Sequence, residues 1–298
     1  MLHNLMTKPT ARFAAFGLFV LLVGLACDLS AINPMGVRLS QPEPEKRQLF
    51  KGIQYERIVR QSPRRLVIHI VTIDLKADGL KSLVSPGNPD RDQPSSAKTT
   101  SAFLSEAGLQ LAINGDAFTP WYDLGPFGFA PKPGQRVTPL GFAASRGVIY
   151  SQDTDEQPTL YLQPNNKVTI NALEGKINNA ISGYKLLVWN GELADGLRSS
   201  GTEPRTAVGL NKGGNKLVII IVDGRQAGYS EGVTELELAQ LMLERNVHSA
   251  INMDGGGSTT LVIEGENGEP LILNSPVHQG IPGNERPVAN HLGFSARR

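Results

Sequence analysis

"VHSAINMDGGGSTTLV" (residues 247–262) places an Asn, an Asp and three consecutive glycines between two apolar runs. The β-branched runs on either side of the glycines predict two strands. A glycine loses more conformational freedom on folding than any other residue, and one or two would be enough for a hairpin turn. The loop is therefore either an ordinary turn or a place where the backbone approaches a ligand closely.

Two other apolar runs end in the same way, with a polar residue followed by glycine: "LAINGD" (111–116) and "IIVDGR" (220–225). The polar residues at the three ends are Asn114 and Asp116, then Asp223 and Arg225, and finally Asn252 and Asp254. If the three strands lie side by side in one direction, their ends meet at one edge of a sheet, where α/β proteins place their ligand sites. The repeated ending predicts one shared site, although Asp-Gly and Asn-Gly are also common at turns.

The glycine loop is neither a P-loop nor a dinucleotide-binding loop, because its glycines lead into a strand and not into a helix. Free backbone N–H groups in such a loop can still form a nest that holds a phosphate. The residues of this predicted nest are Gly255, Gly256, Gly257 and Ser258. Arg205 and Arg225 either donate to the same phosphate or are ordinary surface residues. Trp121 and Tyr122 either stack on a sugar ring or pack within their own loop.

Asp116, Asp223 and Asp254 are the candidates for acid, base or nucleophile, since two carboxylates can divide these roles at a glycosidic bond. A Ser-His-Asp triad is a weaker reading, because Ser258 lacks the surrounding sequence of a nucleophile elbow. No His or Cys cluster supports zinc, and the sequence predicts no cofactor and no metal, with a hard cation such as calcium left open.

Composition narrows the function classes. Hydrophobic residues make up 40% of the 298 positions and charged residues 19%, which is enough for a sizeable core. With 29 Lys and Arg against 28 Asp and Glu, the formal charge is only +1, and no long basic run is present. We therefore expect no nucleic-acid partner.

The N-terminus predicts export. Lys8 and Arg12 precede the apolar run "FAAFGLFVLLVGLAC" (13–27), which is typical of a signal peptide or of a membrane or lipid anchor over residues 1–31. Cys27, the only cysteine, is either a lipidation site or inert. The sequence thus predicts a protein of the periplasm, the cell envelope or the medium, which contacts a membrane only through this segment.

The remainder divides into a Pro-rich, charged linker over residues 32–54 and a globular domain over 55–298. Within the domain the sequence predicts the following features: a strand at 64–75 with His69 packed in the core, a helix near 97–107 stopped by Gly108, a functional loop or lid at 119–135, short strands and turns over 140–171, a hairpin at Asn190-Gly191, and a helix with a Thr234–Glu237 capping box whose stop is Asn246.

Five segments resemble the phosphodiester glycosidase domain family: "NGDAF", "EPRTAVG", "VDGRQAGYSEGVTELELAQLML", "AINMDGGGSTTLV" and the terminal "NERPVANHLGF". Together they extend over roughly residues 65–295. The resemblance implies hydrolysis of a sugar-1-phosphodiester between the anomeric carbon and the phosphate oxygen, with N-acetylglucosamine as one candidate sugar. It also implies an α+β fold of mixed β-sheets with a few helices in a single catalytic domain.

By motif match, the resemblance points to nine site residues: Asn114, Asp116, Arg205, Asp223, Arg225, Asp254, Gly255, Gly256 and Ser258. It also adds Glu231 as an acid/base candidate. The chain lacks the many cysteines of the animal members, which suggests a bacterial envelope protein acting on a sugar phosphodiester or an envelope polysaccharide. Two alternatives remain: a non-catalytic module that binds anionic glycans, and a phosphoesterase that cleaves the P–O bond. The oligomeric state is not predicted.

Overall fold

The computed structural model describes residues 40–120, 131–152, 156–173 and 175–298. They all belong to one compact unit, in agreement with a single domain. The predicted signal peptide or anchor (1–31), Cys27, Trp121 and Tyr122 lie outside the described residues. In the described part of the chain, no helix has the length and hydropathy needed to cross a membrane.

The elements of the first half are β1 (Glu45–Phe50), β2 (Ile53–Arg60), β3 (Leu66–Asp74), β4 (Lys81–Val84), β5 (Ser95–Ser96), α1 (Thr100–Ala107), β6 (Leu111–Asn114), β7 (Phe118–Thr119), β8 (Arg136–Pro139), β9 (Ala143–Ser145) and β10 (Val148–Ser151). Those of the second half are β11 (Thr159–Leu162), β12 (Val168–Ile170), β13 (Asn179–Ser182), β14 (Lys185–Trp189), β15 (Glu192–Leu193), β16 (Arg205–Asn211), β17 (Lys216–Val222), α2 (Glu235–Glu244), β18 (Val247–Asn252), β19 (Leu261–Glu264), β20 (Pro270–Ile272) and β21 (His291–Ser295). Short 3₁₀ turns cover Gly256–Ser258 and His278–Gly280.

The largest sheet has the strand order β1-β2-β3-β17-β16-β18-β14-β15. Its central strands are continuous apolar runs because both faces are covered. In β17, Ile219 and Ile221 face the main core, which this sheet shares with residues of two five-stranded sheets. Ile220 and Val222, on the opposite face, pack with the apolar side of α2. The run "KLVIIIV" therefore needs no polar alternation, as expected for a strand buried on both faces.

The two five-stranded sheets have the orders β20-β19-β6-β21-β4 and β10-β9-β13-β11-β12. Leu111 and Ile113 of β6 and Leu261 of β19 lie in the main core with the large sheet, so the first of these sheets brings its strand ends to the same region as β16 and β18. α1 packs on its other side through Phe103 and Leu104.

The arrangement of the three key strands differs from the prediction. All pairs between the strands of these sheets are antiparallel, so the expected mixed sheets are wrong, and the fold is mostly β with two α-helices among the described residues. β17 and β18 do run in one direction, but as the two neighbours of β16, and β6 lies in a different sheet. A short connection explains the antiparallel pairing of β16 with β17, because parallel neighbours need a long crossover.

The folded region also begins earlier than predicted. Residues 45–54, which the sequence assigns to a linker ending at residue 54, form β1 and the start of β2 at the edge of the large sheet. Three consecutive positions of β1, Lys46, Arg47 and Gln48, are exposed, so this edge strand lacks the apolar signal of an inner strand. Its charged composition is the usual protection of a sheet edge against pairing with another chain.

Local signals in the sequence are otherwise confirmed. Gly108 ends α1 in the left-handed conformation, at φ 61°. The Thr234–Glu237 capping box is present at the start of α2. Asn190 and Gly191 both have positive φ and connect β14 to β15 as a hairpin, as the Asn-Gly pair predicts. His69 is fully buried within β3.

Candidate active site

Asp254 is the second residue after the end of β18, where the chain enters the glycine loop. Its Oδ1 accepts a hydrogen bond from the Gly255 N–H at 2.9 Å. Its Oδ2 is buried and has no well-aligned hydrogen bond among the described residues, although the Ser258 hydroxyl is near enough to favour the ionised form. Burial raises the pKa of the Asp254 carboxyl, and Ser258, Arg286 and Arg225 offset only part of that rise. A carboxyl kept partly desolvated in this way is typical of a reactive group.

The glycine loop does not form the predicted phosphate nest. The Gly255 N–H bonds to its neighbour's carboxylate, the Gly256 N–H donates to Pro204 O at 2.8 Å, and the Ser258 N–H donates to Gly255 O at 3.2 Å. These amides are used within the protein and are not presented to a ligand. The expectation that all four N–H groups hold the phosphate is therefore wrong.

The glycines instead make room for two arginine side chains. A Cβ on Gly257 would lie 2.4 Å from Nη2 of Arg286, and a Cβ on Gly256 would lie 3.1 Å from both terminal nitrogens of Arg225. Gly256 also has a φ of 60°, which side chains rarely adopt. The loop thus lets two guanidinium groups rest against the backbone beside Asp254.

This packing makes Gly257→Ala an informative substitution. The φ of Gly257 lies outside the left-handed region, so the backbone accepts Ala, and the new methyl group must displace the end of the Arg286 side chain. If Arg286 binds the substrate, we expect kcat/KM of a sugar phosphodiester to fall about tenfold or more while the melting temperature changes little. Gly213→Ala is the control, since its Cβ would meet nothing closer than Asn215 Oδ1 at 3.3 Å. Equal activity of Gly257→Ala and the native protein would mean that Arg286 has no part in the reaction.

Four arginines surround Asp254 in a cavity of about 430 Å³. The lining residues are Tyr184, Arg198, Gly201, Glu203, Arg205, Arg225, Asp254, Gly255, Gly256 and Arg286. Arg198 and Arg225 are exposed at the mouth, with 62% and 49% of their side-chain surface accessible, whereas Arg205 is only 5% exposed. Planar guanidinium groups are the side chains best suited to a phosphate oxygen pair, so a cavity lined by four of them has a charge and shape that suit an anion.

Arg205 is buried, and no carboxylate of the described residues forms an ion pair with it. Its guanidinium donates to Tyr184 Oη at 2.9 Å, to Val233 O at 3.3 Å and to Gly201 O at 3.4 Å. All three of these partners within the described residues are neutral. A buried cation with only neutral acceptors is costly, and an anionic ligand in the cavity would offset that cost.

The other three arginines already have partners, and Arg198 donates from its Nε to Glu235 Oε1 at 2.7 Å. Arg225 Nε pairs with Glu203 Oε2, and its backbone is held at φ 57°. Arg286 donates to Ser258 Oγ at 3.2 Å and to His278 Nδ1 at 3.4 Å. Burial lowers the pKa of His278 to about 4, with Arg286 adding to the effect, so His278 is neutral near pH 7 and its Nδ1 can accept.

Asn114 joins the two sheets under Asp254. Its Nδ2 donates to Asp254 O at 2.8 Å, and its Oδ1 accepts from Thr206 Oγ1 at 2.8 Å and from the Thr260 N–H at 3.1 Å. Asn252 is likewise buried, with its amide 2.7 Å from the Tyr184 hydroxyl. Neither residue lines the cavity, so both hold the site in place from behind.

Asp223 lies in the core and not in the cavity. Its Oδ2 is 3.1 Å from His69 Nε2 and accepts from the Tyr229 hydroxyl at 3.2 Å. Its Oδ1 accepts from Asn274 Nδ2 at 3.1 Å and from the Ser275 N–H at 2.9 Å. With both oxygens engaged and no exposure, this carboxylate ties strands and loops together.

The remaining predicted carboxylates do not line the cavity either. Asp116 is buried, and its Oδ2 accepts from the Gly141 N–H at 2.6 Å. Glu231 is exposed, and its backbone N–H donates to the O atom of Arg65, the residue before β3. The structure therefore brings together Arg205, Arg225 and Asp254 with the glycine loop and leaves these two carboxylates outside.

Four charged or polar lining residues were not predicted: Tyr184, Arg198, Glu203 and Arg286. Glu203 and Arg286 stand within "EPRTAVG" and "NERPVANHLGF", two segments that carry the family resemblance, so that signal was available. Tyr184 and Arg198 stand in no such segment, and only the pairing of β14 with β18 brings Tyr184 beside Asn252. In the described part of the chain, no group of three or more His, Cys, Asp or Glu side chains is arranged to hold a metal ion.

Comparison with known proteins identifies the family of the chain. The sequence profile of the phosphodiester glycosidase family matches residues 107–295, which include the glycine loop and the cavity arginines. The chain belongs to the phosphodiester glycosidase family. Members of this family are hydrolases that act on phosphodiester-linked glycosyl bonds.

Curated relatives match over short stretches. The N-acetylglucosamine-1-phosphodiester alpha-N-acetylglucosaminidases of Bos taurus and Homo sapiens are 44% and 41% identical over 61 residues, which is 20% of this chain and 11% of each enzyme. An uncharacterized prophage-derived protein of Bacillus subtilis is 41% identical over 92 residues, 31% of this chain and 13% of that protein. The match thus spans about a ninth of the mammalian enzymes.

Solved structures share the fold over most of the chain. A hypothetical protein from Synechocystis superposes with a TM-score of 0.62 at 14% identity, over 87% of this chain and 65% of that one. The zebrafish N-acetylglucosamine-1-phosphodiester alpha-N-acetylglucosaminidase catalytic domain, auto-inhibited by its pro-peptide, gives a TM-score of 0.58 at 21% identity, over 87% and 89%. A Burkholderia pseudomallei protein described as exported gives a TM-score of 0.55 at 15% identity, over 80% of this chain and 75% of that one.

Proposed function

We propose that this protein hydrolyses a sugar-1-phosphodiester at the anomeric carbon, with the phosphate bound by the cavity arginines. The observation that supports this most directly is Arg205, a buried guanidinium with neutral partners that lines the same cavity as Asp254. A phosphodiester anion would supply the missing negative charge. Asp254 would then act on the sugar attached to that phosphate, and N-acetylglucosamine is the first sugar to test, given the curated relatives.

In the proposed reaction, an oxygen nucleophile forms a bond to the anomeric carbon while the bond from that carbon to the phosphate oxygen breaks. The bonding electrons remain on the phosphate oxygen, which leaves as a phosphate monoester stabilised by arginine donors. Asp254 either attacks the carbon itself, with water releasing the sugar afterwards, or takes a proton from the attacking water. The sum in both cases is diester plus water giving free sugar and phosphate monoester.

Turnover of an aryl N-acetylglucosamine-1-phosphodiester in oxygen-18 water tests this assignment. We expect free N-acetylglucosamine carrying the label, together with unlabelled aryl phosphate. Label in the phosphate would instead identify a phosphoesterase that cleaves the P–O bond. Binding without turnover across a panel of sugar phosphodiesters would identify a non-catalytic module for anionic glycans.

The pH dependence of kcat/KM follows from the raised pKa of Asp254. The ionised form of Asp254 is the one that attacks or accepts a proton. An ordinary Asp ionises near about pH 4, and burial moves the ionisation of Asp254 to a higher pH. We therefore expect kcat/KM to rise with pH along an acid limb whose midpoint lies above about pH 4. A rate that falls with increasing pH through this range would assign Asp254 the role of acid.

We further propose that the protein acts outside the cytoplasm on diesters of an envelope polysaccharide. The support is the N-terminal apolar run after Lys8 and Arg12. Fractionation of cells producing the full chain tests the location, and recovery in the cytoplasm would contradict it. Release of sugar from purified wall or exopolysaccharide tests the substrate.

A further inference from the structure

We infer that Glu235 is a positioning residue for the anion site: it holds Tyr184 and Arg198 so that the guanidinium groups of Arg205 and Arg198 face the cavity. The inference deepens the proposed function, because it concerns the same site. Glu235 is the first residue of α2, directly after the Thr234 cap, and its side chain is fully buried. It does not itself line the cavity.

Both oxygens of Glu235 are occupied by donors. Oε1 accepts from the Tyr184 hydroxyl at 2.8 Å and from Arg198 Nε at 2.7 Å. Oε2 accepts from Lys185 Nζ and from the Arg198 backbone N–H, both at 3.1 Å. One buried carboxylate thereby contacts two cavity-lining side chains directly. These donors lower the pKa of Glu235 to about 2 despite its burial, so the carboxylate is ionised at every pH of interest.

The effect reaches Arg205 through Tyr184. Burial raises the pKa of the Tyr184 hydroxyl, which stays protonated and donates to Glu235. The same oxygen accepts from Arg205 Nη1 at 2.9 Å, the shortest of the hydrogen bonds made by that guanidinium to described residues. The two carbonyl contacts of Arg205 are 3.3 and 3.4 Å long and constrain it less. The hydroxyl that Glu235 orients therefore sets the direction of the buried cation.

Glu237 provides a matched control two residues away. It also lies in the first turn of α2 and is bound by an arginine, Arg64, and by the Thr234 N–H. It does not contact a residue of the cavity in any of these bonds. Loss of charge at Glu237 therefore disturbs the same helix end while leaving Arg205 and Arg198 in place.

The test is the binding of inorganic phosphate to the full chain, measured by calorimetry for the native protein and for Glu235→Gln, Tyr184→Phe and Glu237→Gln. We expect the first two variants to raise the Kd at least about tenfold, and Glu237→Gln to leave it within about twofold. Tyr184→Phe removes only a hydroxyl. If Glu235→Gln fails to fold, the phosphate Kd of Tyr184→Phe therefore still tests the inference. In a double-mutant cycle with Arg205→Lys, the effects of Tyr184→Phe and Arg205→Lys should be far from additive.

Native-like phosphate affinity in folded Tyr184→Phe, or an additive cycle, would overturn the inference. So would a native protein that binds no phosphate. The hydrolase proposal fails in a different way: if phosphate binds and responds to these variants but no sugar phosphodiester is turned over, the positioning role stands and the catalytic assignment does not. If turnover occurs, the loss should appear mainly in KM, since bound substrate still meets Asp254.

Discussion

Asp254→Ala is expected to lower kcat/KM for a sugar phosphodiester by about a thousandfold or more while leaving the protein at least as stable as the native form. Asp254 and Glu203 are the two carboxylates among the cavity-lining residues, and Glu203 is already paired with Arg225. The raised pKa of Asp254 means that folding favours the protonated form, so at neutral pH the buried charge costs stability, and removing it relieves that cost. Steady-state kinetics and urea unfolding on the same preparation would measure both effects.

Asp78→Ala is a suitable control for Asp254→Ala. Asp78 is an exposed carboxylate that pairs with Lys51 and Arg297 on the surface, so its loss should change neither activity nor stability appreciably. Activity of Asp254→Ala within tenfold of the native protein would remove Asp254 from the proposed mechanism. A large loss of stability would show that its role is structural.

Asp223→Ala is expected to reduce stability more than activity, the reverse of Asp254→Ala. The free energy of unfolding should fall by about 3 kcal/mol or more. The substitution leaves His69, Tyr229, Asn274 and the Ser275 N–H in the core without their common acceptor. Activity should fall only in proportion to the folded fraction and to the loosening of the loop that carries Arg225. Urea unfolding gives the stability, and kinetics at low temperature, where the variant is folded, give the activity.

Together, Asp254→Ala and Asp223→Ala separate a catalytic Asp from a structural one, two roles that the sequence could not distinguish. A folded Asp223→Ala protein with native stability and no turnover would restore Asp223 as a catalytic carboxylate, as its motif suggests. Such a result would also require an opening of the core that exposes Asp223, because its carboxylate is fully buried. Asp223→Asn serves as a milder second variant, since it keeps the shape and loses one acceptor.

Much of the fold was predictable because the signals are local. The capping box at Thr234, the left-handed Gly108 and the Asn190-Gly191 hairpin each depend on a few neighbouring residues, and each is present. Strand pairing was not predictable in this way. The antiparallel order that separates β6 from β17 and β18 depends on which apolar faces meet in the core, and an apolar run has the same composition in either direction.

The candidate site residues likewise include some that local sequence signals predict and others that only long-range packing places. The sequence alone predicted the glycine loop, Asp254, Arg205 and Arg225 as site residues, because strand-end motifs and a family resemblance depend on consecutive residues, and all of them contribute to one cavity. Which of the three similar Asp residues lines the cavity depends on the tertiary structure. Asp223 and Asp254 follow comparable strands, but donors enclose the carboxylate of Asp223, whereas Asp254 lines the cavity. The structural role of the glycines also became clear only from the tertiary structure. Their missing side chains leave space for Arg225 and Arg286, and such long-range packing has no signature in a single stretch of sequence.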